Sequence, residues 1–270
     1  MMMNNTLAQL RELKLVGMAT AVEEQLSSTA SSALSFEERL ALMVDREVHQ
    51  RADKRHAALL KRARLKYPQA CIEDVDGRAG RGFERPALMS LALSRWVEDG
   101  TALLITGPTG SGKSWLACAL AQYACRRGQS ALYLRVPRLA EELRILHGNG
   151  SFTRWLAAVA RTDVLLLDDW ALAAMDGPTR ADLMEVIDDR AGTRATIITS
   201  QLPVEHWHAW IGDASIADAI LDRLLSRSHR LALKGKSMRP QKHEAGNGTS
   251  TGTSTGTGTG TGAHTTDATR

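Results

Sequence analysis

The chain is poor in cysteine. Cys71, Cys118 and Cys125 are the three in 270 residues, an odd number with no C-x-x-C spacing. That argues against a disulfide framework and against a zinc site, and leaves buried or idle thiols as the reading. Long apolar runs are also missing: none reaches the ~18 to 20 residues that span a bilayer. The opening MMMNNTLAQL has neither a basic n-region nor an apolar h-region after it. These absences predict a soluble, cytoplasmic protein with no membrane partner. Apolar residues still make up 43% of the chain, and its length allows a sizeable core in one large domain or in one domain with a smaller appendage. A formal charge of +4 is only mildly basic, and the whole-chain figure hides how the charge is arranged.

From Thr6 to about Lys66 the apolar residues fall at three- and four-residue spacing: Leu7, Leu10, Leu13 and Met18, then Phe36, Leu40, Met43, Val44 and Val48. This predicts two or more helices and no strand, with Ser35 before Glu37 and Glu38 as a capped second start. Residues 1–66 are therefore expected to form a helical N-terminal domain. Pro68, Gly77, Gly80 and Gly82 break the periodicity, so 67–85 reads as a linker. Over 86–240 short β-like runs, ALLIT, ALYLRV, VLLLD, ATIIT and HRLAL, alternate with amphipathic segments. That alternation predicts an α/β domain, a parallel sheet covered on both faces. Residues 241–270, with GNGTSTGTSTGTGTGTG, have nothing to bury and are expected to be a disordered tail.

One turn in the α/β region does more than connect a strand to a helix. Gly107, Pro108, Thr109, Gly110, Ser111, Gly112, Lys113 and Ser114 match G-x-x-x-x-G-K-[ST], with an apolar strand before and a helical pattern after. Glycines free the backbone to turn successive N–H groups toward phosphate oxygens, and the helix beginning near Lys113 adds the positive end of its dipole. Lys113 is expected to reach the β- and γ-phosphates of ATP, and Ser114 Oγ to hold Mg²⁺.

A P-loop calls for an acid at the end of a second buried strand. Val164 to Leu167 followed by Asp168 and Asp169 supply it, since two carboxylates there would be costly without a cation or water. Asp168 is the expected Mg²⁺-shell residue. Asp169 either orients the attacking water or caps the next turn. The run ATIITSQLP ends a third strand at Thr199, Ser200 and Gln201, and ligands bind at the carboxyl ends of parallel strands. Gln201 is then a sensor of the γ-phosphate or a plain turn residue.

With these residues in view, the chain resembles the IstB-like ATP-binding proteins, helper ATPases encoded beside the transposase in bacterial insertion sequences. The likeness runs from about residue 5 to Arg239. It is carried by GPTGSGKSWLACALAQYACRRG, LLLDDWAL, TIITSQLPVEHWH and IADAILDRLLSRSHRLALKGKSMR in that order. The resemblance implies an AAA+ type P-loop fold related to the DnaC helicase loader, with Gln201 near sensor I. It also implies that Arg223 is an arginine finger reaching a neighbouring subunit's nucleotide, with Arg227 the next candidate, and that Arg239 is a sensor II-like arginine. Two positions depart from the family pattern: Ala171 where glycine usually follows the DDW triplet, and Ala191 where tyrosine is usual. A glycine turn with positive φ at 171 would be strained by alanine.

Arg46 to Lys66 carries a local excess of six positive charges. Arg51, Lys54, Arg55, Lys61, Arg62 and Arg64 are candidate contacts to double-stranded DNA, because Lys and Arg pair with backbone phosphates without reading sequence. A solvated face, or a surface for a protein partner, is the competing reading. Few aromatics lie there, so no stacking platform for single strands is visible. The resemblance implies a homo-oligomer on duplex DNA that recruits a partner transposase and hydrolyses ATP. A replicative helicase loader, and a nucleotide-gated adaptor with negligible turnover, are the alternatives.

Overall fold

The computed structural model describes residues 2–75, 82–235 and 237. Three helices come first: α1 (Met2–Glu12), α2 (Val16–Ser27) and α3 (Phe36–Ala63). The predicted start of α3 is a capping box, in which Ser35 Oγ accepts from the Glu38 amide at 3.2 Å and Glu38 Oε2 accepts from the Ser35 amide at 2.8 Å. Helix α2 has no side-chain cap of its own at Leu15. Glu47 of α3 supplies one across the interface, accepting from the Gly17 and Met18 amides at 2.7 and 3.2 Å. Only a residue without a side chain fits at 17, because a Cβ there would lie 2.6 Å from Glu47 Cα. Helix α3 stops at Arg64, whose φ of 51° is left-handed. Ala63 and Leu65, on either side of that turn, are buried.

After α4 (Arg85–Leu93) the chain alternates: β1 (Ala102–Thr106), α5 (Lys113–Arg126), β2 (Ala131–Arg135), α6 (Val136–Gly148), α7 (Phe152–Arg161), β3 (Val164–Trp170), α8 (Gly177–Arg190), β4 (Ala195–Ser200), α9 (Trp207–Ile211), α10 (Ala214–Ser226) and β5 (Ser228–Ala232). The described strands form one parallel sheet in the order β2-β3-β4-β1-β5. Leu166 lies opposite Tyr133 on one side and Ile197 on the other, which brings the ends of β2, β3 and β4 together.

The strands read as continuous apolar runs because both faces are covered. Leu103, Ile105, Leu166 and Ile197 pack with Ala63, Leu88, Ala117 and Cys118 on the α4 and α5 side. Leu104, Leu165, Leu167 and Ile198 pack with Leu139, Leu183, Ile220 and Trp207 on the other. Burying each such leucine is worth roughly 1.5 to 3 kcal/mol. Burial also pushes the Cys118 and Cys125 thiols up to about 11, above reactive range.

Strand β3 was expected to end at its acids, but it continues to Trp170. That indole is 1% exposed and packs against Trp207 and Trp210 at centroid distances of 5.5 and 5.2 Å, so burial holds Trp170 in the sheet beyond a register shift against β4 between Leu167 and Trp170. At the opposite end of the sheet, buried Arg190 donates to the carbonyls of Val159, Thr162 and Ala195 at 2.6, 2.7 and 2.5 Å. No described helix is long and apolar enough to cross a membrane.

Candidate nucleotide site

The loop between β1 and α5 takes the conformation its glycines permit. Gly107, Gly110 and Gly112 have φ of 147°, 80° and 90°, and Gly112 caps α5 in the left-handed region. A Cβ at Gly107 would lie 2.4 Å from the Leu233 carbonyl oxygen, so backbone approach as well as dihedral excludes a side chain there. The Lys113 ammonium donates to the carbonyls of Gly107 and Pro108 at 2.8 and 2.9 Å, and the side chain curls over the loop it belongs to. Ser111 is buried inside the turn.

Asp168, with no exposed surface, is the hub. Its Oδ1 accepts from Ser114 Oγ of α5 at 2.6 Å and from Thr199 Oγ1 of β4 at 2.5 Å. Its Oδ2 accepts from the Tyr133 hydroxyl of β2 at 2.7 Å and lies 3.5 Å from Lys66 Nζ. Burial raises this carboxyl more than any other single influence, but the donors from Ser114, Thr199 and Tyr133, with Lys66, together outweigh it and hold the group below its ordinary value. Burial first, and then the bond to Asp168, push the Tyr133 phenol upward, so it stays a neutral donor.

The neighbouring acid is held differently. Asp169 takes φ of 61°, accepts from Arg135 Nε at 2.9 Å, and donates its amide to Thr199 Oγ1 at 3.1 Å. Ala171 follows with φ of 64°, the left-handed turn expected to strain an alanine. Ser200 Oγ donates to the Trp170 carbonyl at 2.8 Å and accepts from the Leu202 amide at 3.0 Å, fixing the end of β4. Gln201 Oε1 accepts from Thr109 Oγ1 at 2.6 Å, so the β4 exit touches the glycine loop.

Other expected residues lie elsewhere. Arg223, near the end of α10, pairs with Asp188 and donates to the Ala219 carbonyl at 3.1 Å. It stands with Arg190, Arg194 and Arg227 around the amino ends of β1 and β4, the far end of the sheet from the loop of its own chain. Arg51, Lys54, Arg55, Lys61, Arg62 and Arg64 are all exposed on or just after α3. Arg51 pairs with Glu47 at 2.7 Å, and Arg55 donates to the Gly128 carbonyl at 2.9 Å. Arg239 and the Gly/Thr-rich tail lie outside the described residues.

Three residues of the site were missed in the sequence: Tyr133, Arg135 and Lys66. Tyr133 and Arg135 carried a signal, polar side chains two apart at the end of an otherwise apolar strand, but its meaning depends on β2 lying beside β3. Lys66 looked like one more charge of a basic run.

The site fits a nucleotide triphosphate with a divalent cation. The loop presents a helix amino end and a glycine-permitted backbone turn to an anion, and Ser114 Oγ with Asp168 Oδ1 is a hard oxygen pair. No group of three His, Cys, Asp or Glu suited to a metal occurs among the described residues, so a cation here would draw its other ligands from phosphate and water. The model of the IstB-like ATP-binding protein family matches residues 8–246. The chain belongs to that family. It is 57% identical to the ATP-binding protein of insertion sequence IS1162 of Pseudomonas fluorescens, over 75% of this chain and 88% of that one. An insertion-sequence ATP-binding protein of Sinorhizobium fredii, y4pL, is 46% identical over 88% of this chain and 97% of its own length. Among solved structures, the DnaC helicase loader superposes with a TM-score of 0.54 at 20% identity, over 63% of this chain and 99% of that chain. DnaI gives 0.53 at 23%, over 62% and 92%. These two likenesses are of fold, and the fold is the AAA+ type of P-loop domain. Family membership makes ATP a ligand of this protein.

Proposed function

We propose that this protein is an ATP-dependent helper of transposition. It binds ATP with Mg²⁺, hydrolyses it, assembles as a homo-oligomer on double-stranded DNA in the cytoplasm, and recruits or activates a partner transposase. The observation that carries this reading is the division of the machinery: Ser114, Asp168, Asp169 and Gln201 gather at the carboxyl ends of the strands, and Arg223 stands at the other end. A site so divided is completed by a second copy.

In this mechanism the loop amides and the α5 amino end bind the phosphates, and Lys113 exchanges two loop carbonyls for β- and γ-phosphate oxygens. Magnesium, when bound, supplies positive charge against the phosphate oxygens, held through Ser114 and Asp168. Asp169 orients the attacking water and accepts its proton at a carboxylate oxygen, one of which Arg135 engages in the resting chain. Gln201 carries the state of the γ-phosphate to the end of β4. Arg223 leaves Asp188 and sets its charge against the phosphoryl group in the neighbouring subunit. Exposed bases of α3 hold the DNA backbone.

The Arg135–Asp169 pair also favours a second reading, a nucleotide-gated adaptor in which Asp169 stays engaged and turnover is negligible. Loss of function in Lys113→Ala but not in Asp169→Asn would select it. The DnaC-like fold supports a helicase loader as a third, and a transposase gene next to this one would argue against that.

The test is ATP hydrolysis with and without duplex DNA, across a salt series, for the wild type and Arg223→Ala. Turnover stimulated by DNA, weakened by salt and lost in Arg223→Ala with ATP binding kept is the expected result. An unaffected Arg223→Ala protein removes the finger, and no stimulation by DNA removes DNA as the activator.

A further inference from the structure

Asp168 is the acid on which the magnesium proposal depends, yet in this state its charge is already answered. Lys66 Nζ lies 3.5 Å from Oδ2, and Tyr133 donates to the same oxygen at 2.7 Å. Both Oδ1 lone-pair directions are taken by Ser114 and Thr199. The carboxylate is therefore saturated without a metal, and its positive partner comes from the segment that follows α3. Lys66 is not locked in place. Its backbone is anchored by buried Leu65 beside it, while its side chain is 37% exposed and extends along the Tyr67 ring, with Nζ 5.6 Å from the centroid. The ammonium can swing to water on a flexible stem at little cost.

We infer that Lys66 is a resident cation that competes with Mg²⁺ for Asp168, so the metal must displace it to load. This rests on the reading of Ser114 and Asp168 as the magnesium-holding pair. Two positive charges sharing one buried carboxylate repel, so whichever binds weakens the other by the same factor. The competition raises the free Mg²⁺ needed for loading above what the oxygen pair alone would require. It also ties the state of the nucleotide site to the foot of the helix that carries the exposed basic residues.

The experiment measures the Mg²⁺ concentration for half-maximal binding of a fluorescent non-hydrolysable ATP analogue to the full chain, for the wild type, Lys66→Met and Lys66→Arg. Lys66→Met is expected to need roughly three- to tenfold less Mg²⁺, Lys66→Arg to behave as the wild type, and analogue affinity at saturating Mg²⁺ to be equal in all three. The gap between the wild type and Lys66→Met should narrow as salt screens the half-exposed ammonium. An unchanged or raised Mg²⁺ requirement in Lys66→Met overturns the inference. So does affinity lost at saturating Mg²⁺, which would make Lys66 a packing residue only. Wild-type binding that ignores Mg²⁺ altogether would bring down the magnesium reading, and this inference with it.

Discussion

The Tyr133 hydroxyl donates to Asp168 Oδ2 at 2.7 Å from the adjacent strand, and that strand lies at the edge of the sheet. A phenol held neutral by burial thus helps keep a buried carboxyl ionised. Tyr133→Phe removes that donor and leaves the ring in place. The expected loss of stability is about 1 to 2 kcal/mol in urea unfolding at neutral pH. The sign with pH follows from the direction of the shift. The Asp168 value is lowered in the fold, so its stabilisation is complete above the ordinary value of 3.8 and disappears as pH falls through the lower folded value. Losing one lowering donor raises the folded value, so the variant should begin acid unfolding at a higher pH. Unfolding curves from pH 2 to pH 7 check this.

Ala171 takes φ of 64° directly after the two acids and Trp170. An L-residue there costs roughly 1 to 2 kcal/mol, and glycine returns part of that as entropy of the unfolded chain. Ala171→Gly should therefore raise stability by up to about 1 kcal/mol and leave ATP-analogue affinity unchanged. A destabilised variant in the same urea measurement would mean that the turn depends on the alanine methyl group.

Gly17 faces backbone, since a Cβ there would lie 2.6 Å from Glu47 Cα and 2.8 Å from the Arg46 carbonyl oxygen. Gly17→Ala should cost about 1 to 3 kcal/mol by forcing α2 from α3, although alanine is the better helix former. Thermal unfolding followed by circular dichroism would show the loss.

On α3, Arg51 and Arg55 are engaged within the chain, by Glu47 and by the Gly128 carbonyl. Lys61 and Arg62, exposed near its end, are therefore the better test of duplex contact. Replacing both with alanine should flatten the log–log salt dependence of duplex binding by about 2 if each meets a phosphate. A slope unchanged within error would move the DNA surface elsewhere.

How much the sequence revealed varies with the distance over which each feature is specified. The capping box at Ser35 and Glu38, the glycine loop and the apolar β-runs were legible because hydrogen bonds and dihedrals within a few residues define them. The positive φ at Ala171 was signalled only through the family resemblance, which puts glycine at that position. The cap that Glu47 places on α2 was not, because it joins residues 30 apart through helix packing. Tyr133 and Arg135 were read as ordinary strand residues because nothing in their own segment says which strand lies beside them.

The sequence by itself determined the type of fold, the glycine-rich loop after β1 and the paired acids near the end of β3, since each is written in adjacent residues whose backbone preferences act alone. The tertiary structure decided which side chains share Asp168 and which cation balances it. It also decided that Arg223 stands at the far end of the sheet from the loop. Strand order and helix packing set those relations, and the burial that fixes strand order belongs to the folded whole: an apolar run records that it must be covered, but not what will cover it.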